Sequence, residues 1–148
     1  MHKRDQVLQQ EKIEALLGPI DGHYFKGQYS DPEISIRLLS DLGKKRQNNE
    51  DSCMLYVPGS EALTDSRGIL VAVADGMGGA KAGEYASHNA LRCICPVYYE
   101  RNPHALVPAA LRQAVEAANA FVFRESEHNI DFSGMGTKVS ALALVGNW

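Results

Sequence analysis

The rhythm of apolar positions changes several times along the chain. Over residues 4–17 (RDQVLQQEKIEALL), Val7, Leu8, Ile13, Leu16 and Leu17 form a loose stripe. That spacing predicts a short helix, stopped by Gly18-Pro19. Residues 21–32 (DGHYFKGQYSDP) are rich in glycine and turn formers and read as a linker. From Ile34 the period falls to two: Ile34, Ile36 and Leu38 alternate with Ser35 and Arg37, predicting a strand. SCMLYV (Ser52–Val57) predicts a second strand, and a polar loop from Pro58 to Gly68 follows it. ILVAVA (Ile69–Ala74) is almost wholly apolar, which predicts a central strand buried on both faces. A helical period then sets in, from Gly79 or Ala80 to about Cys95, with Pro96 helping to end it. Asn102-Pro103 has the form of an N-cap followed by proline at the first helical position. The helix it opens should reach about Glu127, with Leu111, Val115, Ala118 and Val122 lining one face. Thr137–Val145 predicts a last strand with Val139, Ala141, Ala143 and Val145 on one face. A sheet that has just received a strand usually continues, so the ending GNW reads as cut.

Composition narrows the class. A chain of 148 residues suits one domain with a proper core. Hydrophobic residues at 45% and charged residues at 22% are ordinary for a globular protein, and a net charge of −3 gives no general affinity for nucleic acid. The longest apolar run is far too short to span a bilayer, and the basic N-terminus lacks the apolar segment of a secretory signal. Three cysteines without a framework point to a reducing compartment, hence the cytoplasm. Cys93 and Cys95 are two apart on a helix and face apart, which suits packing better than a zinc pair or a disulfide.

Two clusters carry chemistry. In VAVADGMGGAKAGEYAS (Val71–Ser87), Asp75 ends a buried strand, where a carboxylate is held rigidly at the sheet's edge. Gly76, Gly78 and Gly79 let backbone approach an ion or phosphate with no Cβ in the way. The stretch reads equally as a glycine turn with a solvated acid. A phosphate-binding P-loop is excluded, because Lys81 lies between Ala80 and Ala82, and a dinucleotide fingerprint needs glycine where Lys81 stands. In SDLGKKRQNNEDS (Ser40–Ser52), Glu50-Asp51 offers oxygen ligands to hard cations, and Arg46 suits two parallel hydrogen bonds to a phosphate. A charged hairpin loop is the other reading.

Together the clusters, followed by SGMGTKVSALAL (Ser133–Leu144), resemble the three successive motifs of the metal-dependent type 2C (PPM) protein phosphatases, in their bacterial branch. The resemblance covers about residues 34–145. It implies an α+β fold, a β-sandwich flanked by helices in four layers (α-β-β-α), here incomplete. The chain would divide into an N-terminal helix and linker, 1–33, and the N-terminal half of a catalytic domain, 34–148. It implies hydrolysis of phosphoserine and phosphothreonine in proteins by a water that two Mn2+ or Mg2+ ions activate. Glu50, Asp51, Asp75 and the Gly76 carbonyl would belong to the metal site, with Asp75 bridging both ions and Arg46 holding the substrate phosphate. Phosphoprotein partners, such as those of a Ser/Thr kinase system, would follow.

The sequence departs from the family pattern in three places. Met77 and Ala80 stand where members carry a histidine, so no histidine has a supported role as acid, and His88 reads as a surface residue. The third motif has Thr137-Lys138 in place of two threonines. The later half of the family domain, with two further aspartates, is absent, so Glu50 and Asp75 alone would hold two cations weakly. The alternatives are a catalytically inactive phosphatase-like half-domain that binds partners, and a generic α/β module whose glycines are structural.

Overall fold

The computed structural model describes residues 5–7 and 16–146. Two antiparallel-rich sheets lie face to face, and helices cover the outer face of one of them. The first sheet has the order β1-β3-β4, from Asp5–Val7, Tyr24–Ser30 and Ser35–Asp41. The second has the order β2-β5-β6-β7, from Leu16–Gly18, Asp51–Tyr56, Ile69–Met77 and Gly136–Leu144. Between the sheets sit Leu16, Phe25, Leu38, Cys53 and Leu55. On the other face of the second sheet, Met54, Leu70, Ala72 and Ala74 pack against the helices α2 (Ala80–Pro96) and α3 (Val107–His128).

The two helices meet through small residues. Ala82, Ala86 and Ala90 of α2 and Ala110, Ala114 and Ala118 of α3 are all buried at four-residue spacing, which lets the backbones approach closely. Of the stripe expected on α3, Ala118 and Val122 are buried and Leu111 is half-buried, but Val115 is exposed. The core face is rotated toward the alanines, whose weak hydrophobicity hid it. A buried hydrogen bond between the Ser52 and Ser87 hydroxyls, 3.0 Å, joins α2 to β5.

Several expectations are corrected. Leu16–Gly18 and Tyr24–Ser30 are strands, not helix end and linker, because each finds an antiparallel partner: β2 pairs with β5 and β3 with β4. Asp5–Val7, also expected helical, pairs with β3, and the middle of that expected helix lies outside the described residues. The polar loop 58–68 contains about two helical turns, α1 (Glu61–Arg67). Its Arg67 is buried and donates to the carbonyls of Ala105 (2.8 Å) and Asn102 (2.7 Å), tying the loop before α3 to the body. The α-helix ends at Pro96, as expected, but the helical path does not. A wider turn over Val97–Arg101 continues it, anchored by Tyr98 and Tyr99, whose hydroxyls donate to the carbonyls of Arg67 and Gly68. The next helix starts a turn after Pro103, at Val107-Pro108. The strand expected to be buried on both faces is covered fully only on its helix side: Val73, on the other face, is 52% exposed.

The cysteines are free packing residues, as expected. Burial pushes the Cys53 thiol up to about 11. Burial and then the nearby Glu100 push Cys95 up to about 12. No helix among the described residues is long and apolar enough to cross a membrane.

Candidate metal and phosphate site

The β5–β6 register places Asp51 directly opposite Asp75. Side chains opposed in an antiparallel pair share a face, with Cβ atoms about 4.5–5.5 Å apart. Both carboxylates therefore stand together at the open end of the sandwich. They line a cleft of about 490 Å³ with Leu39, Ser40, Asp41, Val73 and Lys138. The Asp51 carboxyl is held above its ordinary value, first by desolvation against the sheet and then by the charge of Asp75 and a hydrogen bond with it; Arg46 pulls the other way. Arg46, exposed in the β4–β5 loop, is thus within electrostatic reach of Asp51. Two facing acids, one already inclined to hold a proton, are an oxygen donor set that a hard cation would satisfy.

Glu50 sits differently. Its carbonyl accepts from the Gly76 amide at 3.1 Å, which locks the start of β5 to the end of β6. By strand alternation its side chain leaves on the helix side, where the carboxyl lies over Gly83 in the first turn of α2. A Cβ on Gly83 would stand 2.8 Å from Glu50 Cδ. Gly76 is itself enclosed: a Cβ there would stand 2.5 Å from the Glu50 carbonyl oxygen and run into the carbonyl of Gly83. Gly78, at φ +128°, accommodates Met135 of the third motif, 2.9 Å from where its Cβ would be. The third motif also reaches the acid pair directly, since Thr137 Oγ1 donates to the Asp75 carbonyl at 2.9 Å and Lys138 stands opposite Asp75. Among the described residues, no three His, Cys, Asp or Glu side chains converge as a metal-binding group.

Sequence reasoning missed Asn49. It is buried, its amide nitrogen donates to Ser40 Oγ (2.8 Å) and the His23 carbonyl (3.2 Å), and its Oδ1 accepts from the Asp51 amide (3.0 Å). Its own backbone amide donates to the Gly22 carbonyl at 2.7 Å. One side chain thus fixes the loop that delivers Glu50 and Asp51. The neighbouring Asn48 donates to Glu84 of α2 at 3.1 Å. Two asparagines before two acids gave no signal of burial. His88, expected on the surface, is half-buried on α2. Burial and then Arg92 hold its pKa below the usual value, against Glu84.

A two-sheet sandwich with helices on one outer face, a glycine-lined strand-to-helix turn and an acid pair at the sheet's end defines an incomplete type 2C phosphatase fold. Its relatives are bacterial. The chain is 36% identical over 108 residues to the serine/threonine protein phosphatase PstP of Mycobacterium tuberculosis, covering 73% of this chain and 19% of that protein. It is 32% identical over 115 residues to a putative 2C-type protein phosphatase of Streptococcus pyogenes, covering 76% and 44%. The crystal structure of the M. tuberculosis phosphatase superposes with a TM-score of 0.55 at 28% identity, over 91% of this chain and 43% of that one. No protein-family model matches the chain. The chain is therefore a relative of the bacterial type 2C serine/threonine protein phosphatases, and it spans less than half the length of the relatives it matches.

Proposed function

We propose that the chain carries part of the catalytic centre of a metal-dependent phosphatase acting on phosphoserine and phosphothreonine in cytoplasmic proteins, including those of a Ser/Thr kinase system. The observation that supports this most is the register of Asp51 against Asp75 beside a glycine-lined turn. Asp51 and Asp75 would hold Mn2+ or Mg2+ with the Gly76 carbonyl beside them, and Glu50 would have to turn from its place over Gly83 to join them. Bound ions of this kind supply a water activated for attack on phosphorus. Arg46, on a loop within reach of the acids, would grip the phosphate by parallel hydrogen bonds and orient the ester. The Asn49 network keeps Asp51 in place, and Thr137 holds the Asp75 backbone. With too few converging acids among the described residues, the chain by itself should turn over slowly or not at all. That same observation favours, as a second reading, a phosphatase-like half-domain that binds phosphoproteins without hydrolysing them.

The test is Mn2+-dependent release of phosphate from a phosphothreonine peptide. Any such release should vanish in Asp75→Asn. Activity surviving the change would sink the role of Asp75, and full turnover by the parent chain would refute the ligand count.

A further inference from the structure

The third glycine-rich turn brings a cation to the acid pair that hydrolysis does not require. β6 pairs with β5 on one side and β7 on the other, so Asp51, Asp75 and Lys138 form one row across three strands. Residues in register across antiparallel strands share a face. All three side chains accordingly line the same cleft. The other charges facing it are Asp41, which lines the cleft, and Arg46, whose charge reaches Asp51. Lys138 is exposed, and among the described residues it forms no ion pair, with Asp51 or Asp75 or elsewhere, so it would act on the row through space.

We propose that Lys138 is a tethered counter-ion of the Asp51–Asp75 pair, so that the site binds a divalent cation more weakly than its carboxylates alone would. The proposal rests on the reading of that pair as a cation site. An ammonium beside two carboxylates removes part of the charge that attracts a metal and repels the incoming ion directly. For charges taken as about 7 Å apart in a dielectric close to that of water, a single positive charge lowers the affinity for a divalent ion roughly fivefold to tenfold. The site is exposed, so added salt should shrink the effect.

Mn2+ binding to the full chain, followed by the paramagnetic resonance signal of the free ion, tests this without any turnover. Lys138→Thr and Lys138→Met should each bind Mn2+ about fivefold to tenfold more tightly than the parent, while Lys138→Arg, which keeps the charge, should stay within about twofold. Asp75→Asn should abolish binding with either residue at 138. Circular dichroism melts establish that each variant is folded, and two neutral replacements of different shape guard against one that is not. If both neutral variants bind like the parent while Asp75→Asn still abolishes binding, Lys138 is a solvated lysine and the proposal is overturned alone. If Asp75→Asn leaves binding intact, or no variant binds Mn2+, the cation-site reading fails and the proposal falls with it.

Discussion

Replacing Gly76 by alanine isolates the contact that holds the site to its scaffold. The added methyl group would stand 2.5 Å from the Glu50 carbonyl oxygen, 2.6 Å from the Gly83 carbonyl carbon and closer still to the Gly83 carbonyl oxygen. All three atoms are backbone, so no side chain can swing away, and β6 must part from the β5 entry or from α2. Overpacking of this kind costs about 1–3 kcal/mol, and loosening the Gly76 amide bond to Glu50 adds about 0.5–1.5 kcal/mol. A total of about 2–4 kcal/mol lowers the melting temperature of a domain this size by roughly 4–16 °C. Scanning calorimetry of the metal-free chain measures it directly. Gly83→Ala is the matched control, because its Cβ would meet only the end of the Glu50 side chain, with Cδ at 2.8 Å and Cγ at 3.1 Å. That carboxyl can move, and alanine improves the helix by about 0.8–1 kcal/mol. Stability should hold or rise while Glu50 is displaced. Equal losses in the two variants, or a Gly76→Ala chain that melts with the parent, would refute the argument that backbone neighbours decide the outcome.

Three further outcomes follow from the packing and the charges. Ala114→Leu forces α2 and α3 apart and should cost about 1–3 kcal/mol in urea denaturation; an unchanged midpoint would mean that the alanine stripes do not meet. Arg67→Met leaves the carbonyls of Ala105 and Asn102 without their charged donor and should cost about 3 kcal/mol or more by the same assay; a neutral result would remove Arg67 from the account of how the α3 approach is held. Asp51 binds its proton more tightly folded than unfolded, so its ionisation weakens the metal-free fold as pH rises from the ordinary carboxylate range through its raised folded value. Asp51→Asn should therefore melt higher than the parent at pH 7, with the advantage disappearing at pH 3; a variant less stable at pH 7 would show that burial and the charge of Asp75 do not strain it.

The acids and glycines of the candidate site were legible because they lie in short local segments. An acid ending an apolar run, glycines after it and an acid pair before a strand are visible in single segments, and the register then brought Asp51 and Asp75 face to face. What stayed hidden depends on partners remote in sequence. Tyr24–Ser30 carries the glycine and polar residues of a linker, yet it becomes a strand because Phe25 reaches the inter-sheet core and every residue from Tyr24 to Ser30 finds a mate on β4. Leu16–Gly18 has a helical stripe before it, and pairing with β5 overrides that local preference. Asn49 looked like a loop residue, and only the folded chain shows four hydrogen bonds converging on it.

The misread burial of β6 has the same origin and says the most about the site. Ile69–Ala74 promised a strand covered on both sides, but β3 and β4 lie over β2 and β5, so cover thins out across β6. Leu55 of β5 is fully buried, Val71 on the neighbouring strand is half-buried, and Leu142 beyond it on β7 is 57% exposed. The three residues are in register on one face, so the gradient measures how far the first sheet extends and owes nothing to differences in residue type. Asp51, Asp75 and Lys138 form a parallel row further along the same face, so its chemistry faces an open cleft. Openness of that kind keeps the dielectric high on the solvent side of the row, although the sheet still desolvates Asp51. Opposed carboxylates can then coexist there without a metal, and a charge as exposed as Lys138 can still tune their affinity for one.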